Sequence, residues 1–254
     1  IIYFDLFNRE SKRGGAWMSS FRGQRIDPTG EFVRPVVVNV CNFTPPTGDT
    51  PSLLTMDEVE TLFHEFGHGL HGLLSSVTYP SLSGTSVPRD FVELPSQIME
   101  NWSRDPKVIP MYARHYQTGE AIPQELVERL EAAGTFNQGF ETTEYLASSI
   151  LDMKYHNTPV EELKLEDIDA FEKKFLREAG MPSEIVARHR STYFNHIFSG
   201  GYSAGYYSYI WSAVLDADAY EAFVESGDLF NKAIAKAFRE HVLSTGGTVE
   251  PKEL

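Results

Sequence analysis

The sequence is poor in cysteine and has no long apolar run, and each shortage excludes a class of protein. Because Cys41 is the one cysteine, the chain can form neither an intrachain disulfide nor a cysteine-rich zinc site. Cys41 lies in the apolar run VVVNVCNF, which is typical of a buried and inert thiol. No segment reaches the roughly 20 apolar residues that a membrane-spanning helix needs, so we expect no membrane partner.

Basic residues are also scarce. The chain has 22 Lys and Arg against 36 Asp and Glu, a formal net charge of -14. Such a surface repels phosphate backbones, which argues against a nucleic-acid partner and favours neutral or cationic peptides. We expect a cytoplasmic protein, since no signal peptide is recognisable; because the chain opens at Ile1 without methionine, that absence carries little weight. Because no repeat or linker interrupts the chain, residues 1–254 are expected to form one domain.

The spacing of apolar residues predicts a mainly α fold with a small β element near the N-terminus. A β-branched run at 36–40 and neighbouring turns predict a hairpin between residues 21–26 and 32–42. From Thr55 onward the spacing is helical, and Thr55 with Glu58 has the form of a capping box. Further helices are predicted near 95–103, 107–118, 123–133, 137–156, 166–179, 183–198, 203–226 and 229–243.

The first predicted helix contains the motif H-E-x-x-H as His64-Glu65-Phe66-Gly67-His68. Residues four apart project from the same helix face, so the two imidazoles can converge on one ion. Glu65 lies beside the first histidine and can reach a metal-bound water without binding the ion. The motif therefore predicts one Zn²⁺ per chain, with His64 and His68 as ligands and Glu65 as the catalytic base.

A catalytic zinc needs a third protein ligand. The metzincin pattern is excluded, because His71 and Leu74 stand where that class has glycine and histidine. Glu93 and Glu100 remain as candidates, about two helical turns apart, and Pro95 favours a helix beginning near Glu93. Local chemistry leaves the choice open: one glutamate could bind the ion while the other accepts a hydrogen bond from a histidine.

Two segments, HEFGHGLHGLL and RDFVELPSQIMENW, together resemble the thimet-oligopeptidase family of zinc peptidases. The resemblance covers nearly the whole chain and implies a zincin-like helical catalytic domain, the C-terminal part of a longer family chain. It implies that His64, His68 and Glu93 are the zinc ligands and that Glu65 is the base. Glu100 then falls outside the ligand set.

A downstream segment, YFNHIFSGGYSAGYYSY, is similar to the Gly- and Tyr-rich substrate segment of that family. The resemblance implies that His196, Tyr202 and Tyr209 face the active site. A phenol hydroxyl can stabilise the oxyanion that develops during peptide hydrolysis. From the residues alone, the segment is more typical of an aromatic core helix with a flexible entry, so these assignments depend on the resemblance.

The substrates implied by the resemblance are short peptides. Within the family, LSGTSVPRDF and Leu151-Asp152-Met153 are most similar to bacterial peptidyl-dipeptidases, which predicts release of C-terminal dipeptides. Two alternatives stay open: an endo-acting oligopeptidase of the same family, and a zinc- and peptide-binding module without catalysis. The intact Glu65 argues against the module, because a protein that only binds peptides has no use for a base there.

Overall fold

A computed structural model describes residues 1–163 and 167–254, and they form mainly helices with a small sheet at the N-terminal end, as predicted. The strands are β1 (Ile2–Phe7), β2 (Trp17–Arg22), β3 (Arg25–Ile26), β4 (Phe32–Val33) and β5 (Val36–Phe43). The helices are α1 (Met56–Leu74), α2 (Leu94–Arg104), α3 (Ile109–Tyr112), α4 (Gln124–Ala133), α5 (Gln138–Asn157), α6 (Ile168–Glu178), α7 (Asn195–Phe198), α8 (Ser208–Glu225) and α9 (Lys232–Phe238).

The chain divides into two compact units. The first contains Ile1–Val127 and Ser212–Leu254, and the second contains Glu128–Trp211. In the second unit, α5 and α6 pack around a core that includes Leu151, Phe194 and Ile197. The assignment of residues 1–254 to one catalytic domain stays a prediction.

A three-stranded sheet in the first unit supports α1. β5 lies in its centre, parallel to β1 and antiparallel to β2. The predicted hairpin is therefore right only for the short β3–β4 pair, because β5 pairs with the earlier strands instead. Cys41 on β5 is buried, as predicted, and burial raises the pKa of its thiol to about 11.

The long helix α1 begins directly after Thr55, as its sequence predicts. Thr55 and Glu58 form both hydrogen bonds of a capping box, which satisfies backbone groups at the helix start. The helix packs closely on the sheet, since a Cβ atom at Gly72 would lie 2.6 Å from Cε of Met18. This contact fixes the face of α1 that points away from the sheet.

Three helix predictions are wrong in extent. The segment predicted at 183–198 has only a 3₁₀ turn at Ser191–Tyr193 and the short α7. The physical reason is a buried carboxylate: Glu172 accepts hydrogen bonds from the backbone N–H and hydroxyl of Ser191, and Arg190 before it is extended. The helices predicted at 107–118 and 203–226 are reduced to α3 and α8. For the helix predicted at 166–179, Glu166 lies outside the described residues.

Within the described part of the chain, no helix has both the length and the hydropathy needed to cross a membrane. The cytoplasmic location expected from the sequence stays a prediction.

Candidate functional site

The structure brings together His64, His68 and Glu93, the three residues predicted as metal ligands. The Nε2 atoms of His64 and His68 lie 3.3 and 3.1 Å from Oε2 of Glu93. One ligand atom from each residue lies within 4.8 Å of the other two. Among residues 1–163 and 167–254, this is the one group of histidine, cysteine and acidic side chains with such spacing.

Glu93 is held in place by the first turn of α2, which it immediately precedes. The backbone N–H of Gln97 donates to the Glu93 carbonyl at 2.8 Å. The hydroxyl of Ser96 lies 2.8 Å from the same carbonyl and 3.0 Å from Oε2 of the side chain. Pro95 stands in the first turn, where its missing N–H leaves no intrahelical bond unmade. The sequence E-L-P-S-Q thus starts a helix and also supplies the Ser96 hydroxyl that orients the buried carboxylate of Glu93.

Gly67, inside the H-E-x-x-H motif, lets α2 approach α1. A Cβ atom at this position would lie 2.2 Å from the carbonyl oxygen of Pro95 and 2.6 Å from Cα of Ser96. Both are backbone atoms, so no side-chain rotation could relieve the clash. The glycine is therefore needed for Glu93 to reach the two histidines.

We expect a Gly67→Ala substitution to weaken zinc binding at least about tenfold and to destabilise the fold by about 1–3 kcal/mol. The added methyl group displaces the first turn of α2, and Glu93 moves with it. Competition with a chromophoric chelator measures the zinc affinity, and thermal unfolding measures stability. Gly139→Ala in α5 is the matched control, because a Cβ there meets nothing within 4 Å. Wild-type zinc affinity in Gly67→Ala would contradict this role.

Glu100, the other candidate ligand, contacts the far side of the His64 ring. Its Oε1 lies 2.5 Å from Nδ1 of His64, while Nε2 of the same ring faces Glu93. Glu100 is about two turns along α2 from Glu93, as the spacing predicts. The geometry is that of a carboxylate that fixes the orientation and tautomer of a ligating imidazole.

The charges in the cluster favour a cation. Burial lowers the pKa of His64, but hydrogen bonds to Glu100 and Glu93 outweigh burial and raise the pKa to about 10. Burial raises the pKa of Glu93, but its hydrogen bonds to His64 and His68 hold that pKa well below the usual range. The site therefore keeps Glu93 ionised and attracts positive charge next to it, which a metal ion can supply in place of protons.

Glu65 points its carboxylate into a buried environment. The residue is only 5% exposed, and its Oε2 has no hydrogen-bond partner within residues 1–163 and 167–254. Burial raises the pKa of this carboxyl group. An uncompensated carboxylate oxygen beside two histidines is costly unless a further polar group meets it. A water molecule next to a metal ion would be such a group.

These observations fit zinc. Two imidazoles and one carboxylate, with a base beside them, are the donor set of catalytic zinc sites that leave a position open. His71 on the same helix is fully buried, and burial lowers its pKa to about 3. It lies outside the three-residue cluster.

The predicted substrate-facing residues lie together in the second unit. The rings of Tyr202 and Tyr209 stack with centroids 5.3 Å apart, and His196 lies 6.0 Å from Tyr202. Tyr202 and Tyr209 are only partly buried and pack against the core of that unit. Their part in catalysis stays a prediction.

The sequence-based interpretation missed two residues of α5 that contact this segment, Tyr145 and Asp152. Asp152 accepts hydrogen bonds from the backbone N–H groups of Ala204 and Tyr206, and the hydroxyl of Tyr145 donates one to the carbonyl of Tyr206. A signal existed in the sequence: Asp152 directly follows Leu151 and precedes Tyr155 by three residues, and both are core residues of the same helix. A buried carboxylate in such a position needs a partner.

Comparison with known proteins agrees with the site. The family model described as peptidase family M3 matches residues 1–254. The chain is 47% identical over 255 residues to a dipeptidyl carboxypeptidase of Escherichia coli (strain K12), covering 100% of this chain and 37% of that protein. It is 43% identical over 256 residues to oligopeptidase A of the same organism, with the same coverage.

A thimet-like oligopeptidase of Dictyostelium discoideum is 36% identical over 257 residues. The chain thus spans 37% of the length of each of these relatives. The match over its whole length confirms the resemblance found in the motifs, and the chain belongs to peptidase family M3.

Proposed function

We propose that the full-length protein hydrolyses peptide bonds in short peptides, with one Zn²⁺ per chain held by His64, His68 and Glu93. The observation that carries this proposal is the three-residue cluster beside the buried Glu65 oxygen that lacks a partner. Peptidase family M3 is a family of zinc metallopeptidases, which supports the same metal.

The chemistry divides between the ion and the protein. When bound, Zn²⁺ polarises the scissile carbonyl and makes a water molecule acidic enough to attack near neutral pH. Glu65 takes the proton from the attacking water and then donates it to the leaving amine. Burial favours this second role, because a raised pKa lets the carboxyl group hold the proton. Glu100 keeps the His64 ring oriented through Nδ1.

Tyr202 and Tyr209 complete the proposed mechanism. Each carries a hydroxyl that can donate a hydrogen bond to the oxygen on which negative charge develops. Their stacked rings restrict each other's rotation, so both hydroxyls have limited freedom. His196 lies at the edge of the Tyr202 ring and assists in the same role.

Within this function we favour release of C-terminal dipeptides over internal cleavage. Support comes from the segment LSGTSVPRDF just before Glu93 and from the relative named dipeptidyl carboxypeptidase. Relatives named oligopeptidase A are nearly as similar, so an endo-acting oligopeptidase is the second candidate.

One pair of substrates tests the proposal. We expect the full-length enzyme to cleave a short peptide with a free C-terminus and to lose most activity on the same peptide with an amidated C-terminus, because an exo-acting enzyme must bind that carboxylate. Removal of metal with a chelator should abolish cleavage, and added Zn²⁺ should restore it.

Each outcome has a separate meaning. Equal cleavage of both peptides would favour the endo-acting alternative. Activity that survives complete metal removal would contradict zinc-dependent hydrolysis altogether. Peptide binding without cleavage by the zinc-loaded protein would identify the non-catalytic module.

A further inference from the structure

A turn between α7 and α8, which carries Tyr202, is held by a carboxylate from outside the segment. Oδ1 of Asp152 accepts the backbone N–H of Ala204 at 2.9 Å, and Oδ2 accepts that of Tyr206 at 2.9 Å. Each oxygen of one side chain therefore fixes a different backbone group. Such charge-assisted bonds are about twice as strong as neutral ones.

Tyr145 lies on the same face of α5 as Asp152, because it precedes Asp152 by two helical turns. It binds backbone groups of Tyr206 and Ile210. Its hydroxyl donates to the carbonyl of Tyr206 at 2.7 Å and accepts the N–H of Ile210 at 3.1 Å. Both backbone groups of Tyr206 are thus bound by α5. Tyr209 lies between the two anchored positions, Tyr206 and Ile210.

The arrangement carries two energetic costs. Asp152 is fully buried, and burial of a carboxylate is unfavourable unless hydrogen bonds and charge compensate it. His156 supplies part of the compensation, with Nδ1 2.8 Å from Oδ1 of Asp152. Ala204 has a φ of 51°, a left-handed conformation that costs a non-glycine residue about 1 kcal/mol or more. A strained turn held by a buried charge is typical of a functional segment.

We propose that Asp152, with Tyr145, is a positioning residue that fixes the hydroxyls of Tyr202 and Tyr209 for transition-state stabilisation. The inference rests on the proposed peptidase function. Asp152 acts through the backbone of residues 204–206 and contacts no substrate. Backbone N–H groups just before Ser208 donate hydrogen bonds to Asp152, which explains why α8 begins only at Ser208.

An Asp152→Asn substitution tests this role in the zinc-loaded full-length enzyme. The side chain keeps its shape, but one acceptor oxygen becomes an NH₂ group that faces a backbone N–H. We expect kcat to fall about 100-fold, the loss typical of a small misplacement. KM and zinc content should change little, because the tyrosines act on the transition state. An unchanged kcat would overturn the proposal.

A double-mutant cycle separates positioning from a general structural defect. If Asp152 acts through the tyrosines, Asp152→Asn should add little further loss in a Tyr202→Phe/Tyr209→Phe background. A loss by the same factor in that background would overturn the proposal. Asp218→Asn is the control, because it makes the same chemical change at an exposed position of α8; its kcat should stay close to wild type.

A second variant covers the case in which Asp152→Asn does not fold. Tyr145→Phe removes one hydroxyl and should lower kcat about tenfold, again without a matching change in KM. A wild-type kcat in Tyr145→Phe would contradict the positioning role of Tyr145. Failure here is distinguishable from failure of the proposed function: if Glu65→Gln is inactive while Asp152→Asn has full activity, only the positioning role is lost.

Discussion

A Glu65→Gln variant is expected to bind zinc as wild type does and to lose about 10³-fold or more in kcat. The amide has nearly the shape of the carboxylate but cannot take a proton from the attacking water. It also has no proton of suitable acidity to give to the leaving amine. Since Glu65 lies outside the three-residue cluster, the ion should lose no ligand.

The measurement pairs steady-state kinetics with zinc content by elemental analysis. Glu60→Gln is the matched control: it makes the same chemical change on α1, where Glu60 pairs with Arg104 at the surface. Glu60 lies outside the three-residue cluster, so this variant should keep its activity. Near-normal turnover in Glu65→Gln would show that another group is the base.

A Glu93→Gln variant is expected to lose zinc and, with it, activity. The substitution replaces an anionic ligand by a neutral amide in a pocket where Glu93 is 2% exposed. The loss of affinity should exceed the 10- to 100-fold that is typical when a group outside the ligand set is removed. Competition with a chromophoric chelator gives the dissociation constant of each variant.

Glu100→Gln is the control that decides between the two glutamates. It removes the carboxylate partner of Nδ1 of His64 but leaves the three ligand atoms in place, so affinity should fall only about 10- to 100-fold. A larger loss in Glu100→Gln than in Glu93→Gln would reverse the assignment. This ordering tests the one choice that local sequence chemistry leaves open.

Features set by local periodicity are predictable from the sequence. The capping box of Thr55 and Glu58 lies where its spacing indicates. His64 and His68 share a helix face because residues four apart must do so. Glu93 and Glu100 are about two helical turns apart and therefore both lie near His64. Which ring atom of His64 each glutamate contacts depends on how α2 packs against α1.

Features set by non-local contacts could not be predicted. Nothing in the order of residues shows that Gly67 faces the carbonyl of Pro95, because that contact depends on the packing of two helices. Glu172 similarly binds Ser191 and prevents the helix predicted at 183–198. The hydrogen bond that the backbone of Ala204 donates to Asp152 likewise shortens the helix predicted at 203–226.

The most direct test of the account is the position of the metal itself. We would soak crystals of the protein with Zn²⁺ and record diffraction above and below the zinc absorption edge. The account predicts one anomalous peak about 2.0–2.2 Å from Nε2 of His64, Nε2 of His68 and a carboxylate oxygen of Glu93. No peak at this cluster, or a peak bound by Glu100 instead of Glu93, would contradict it.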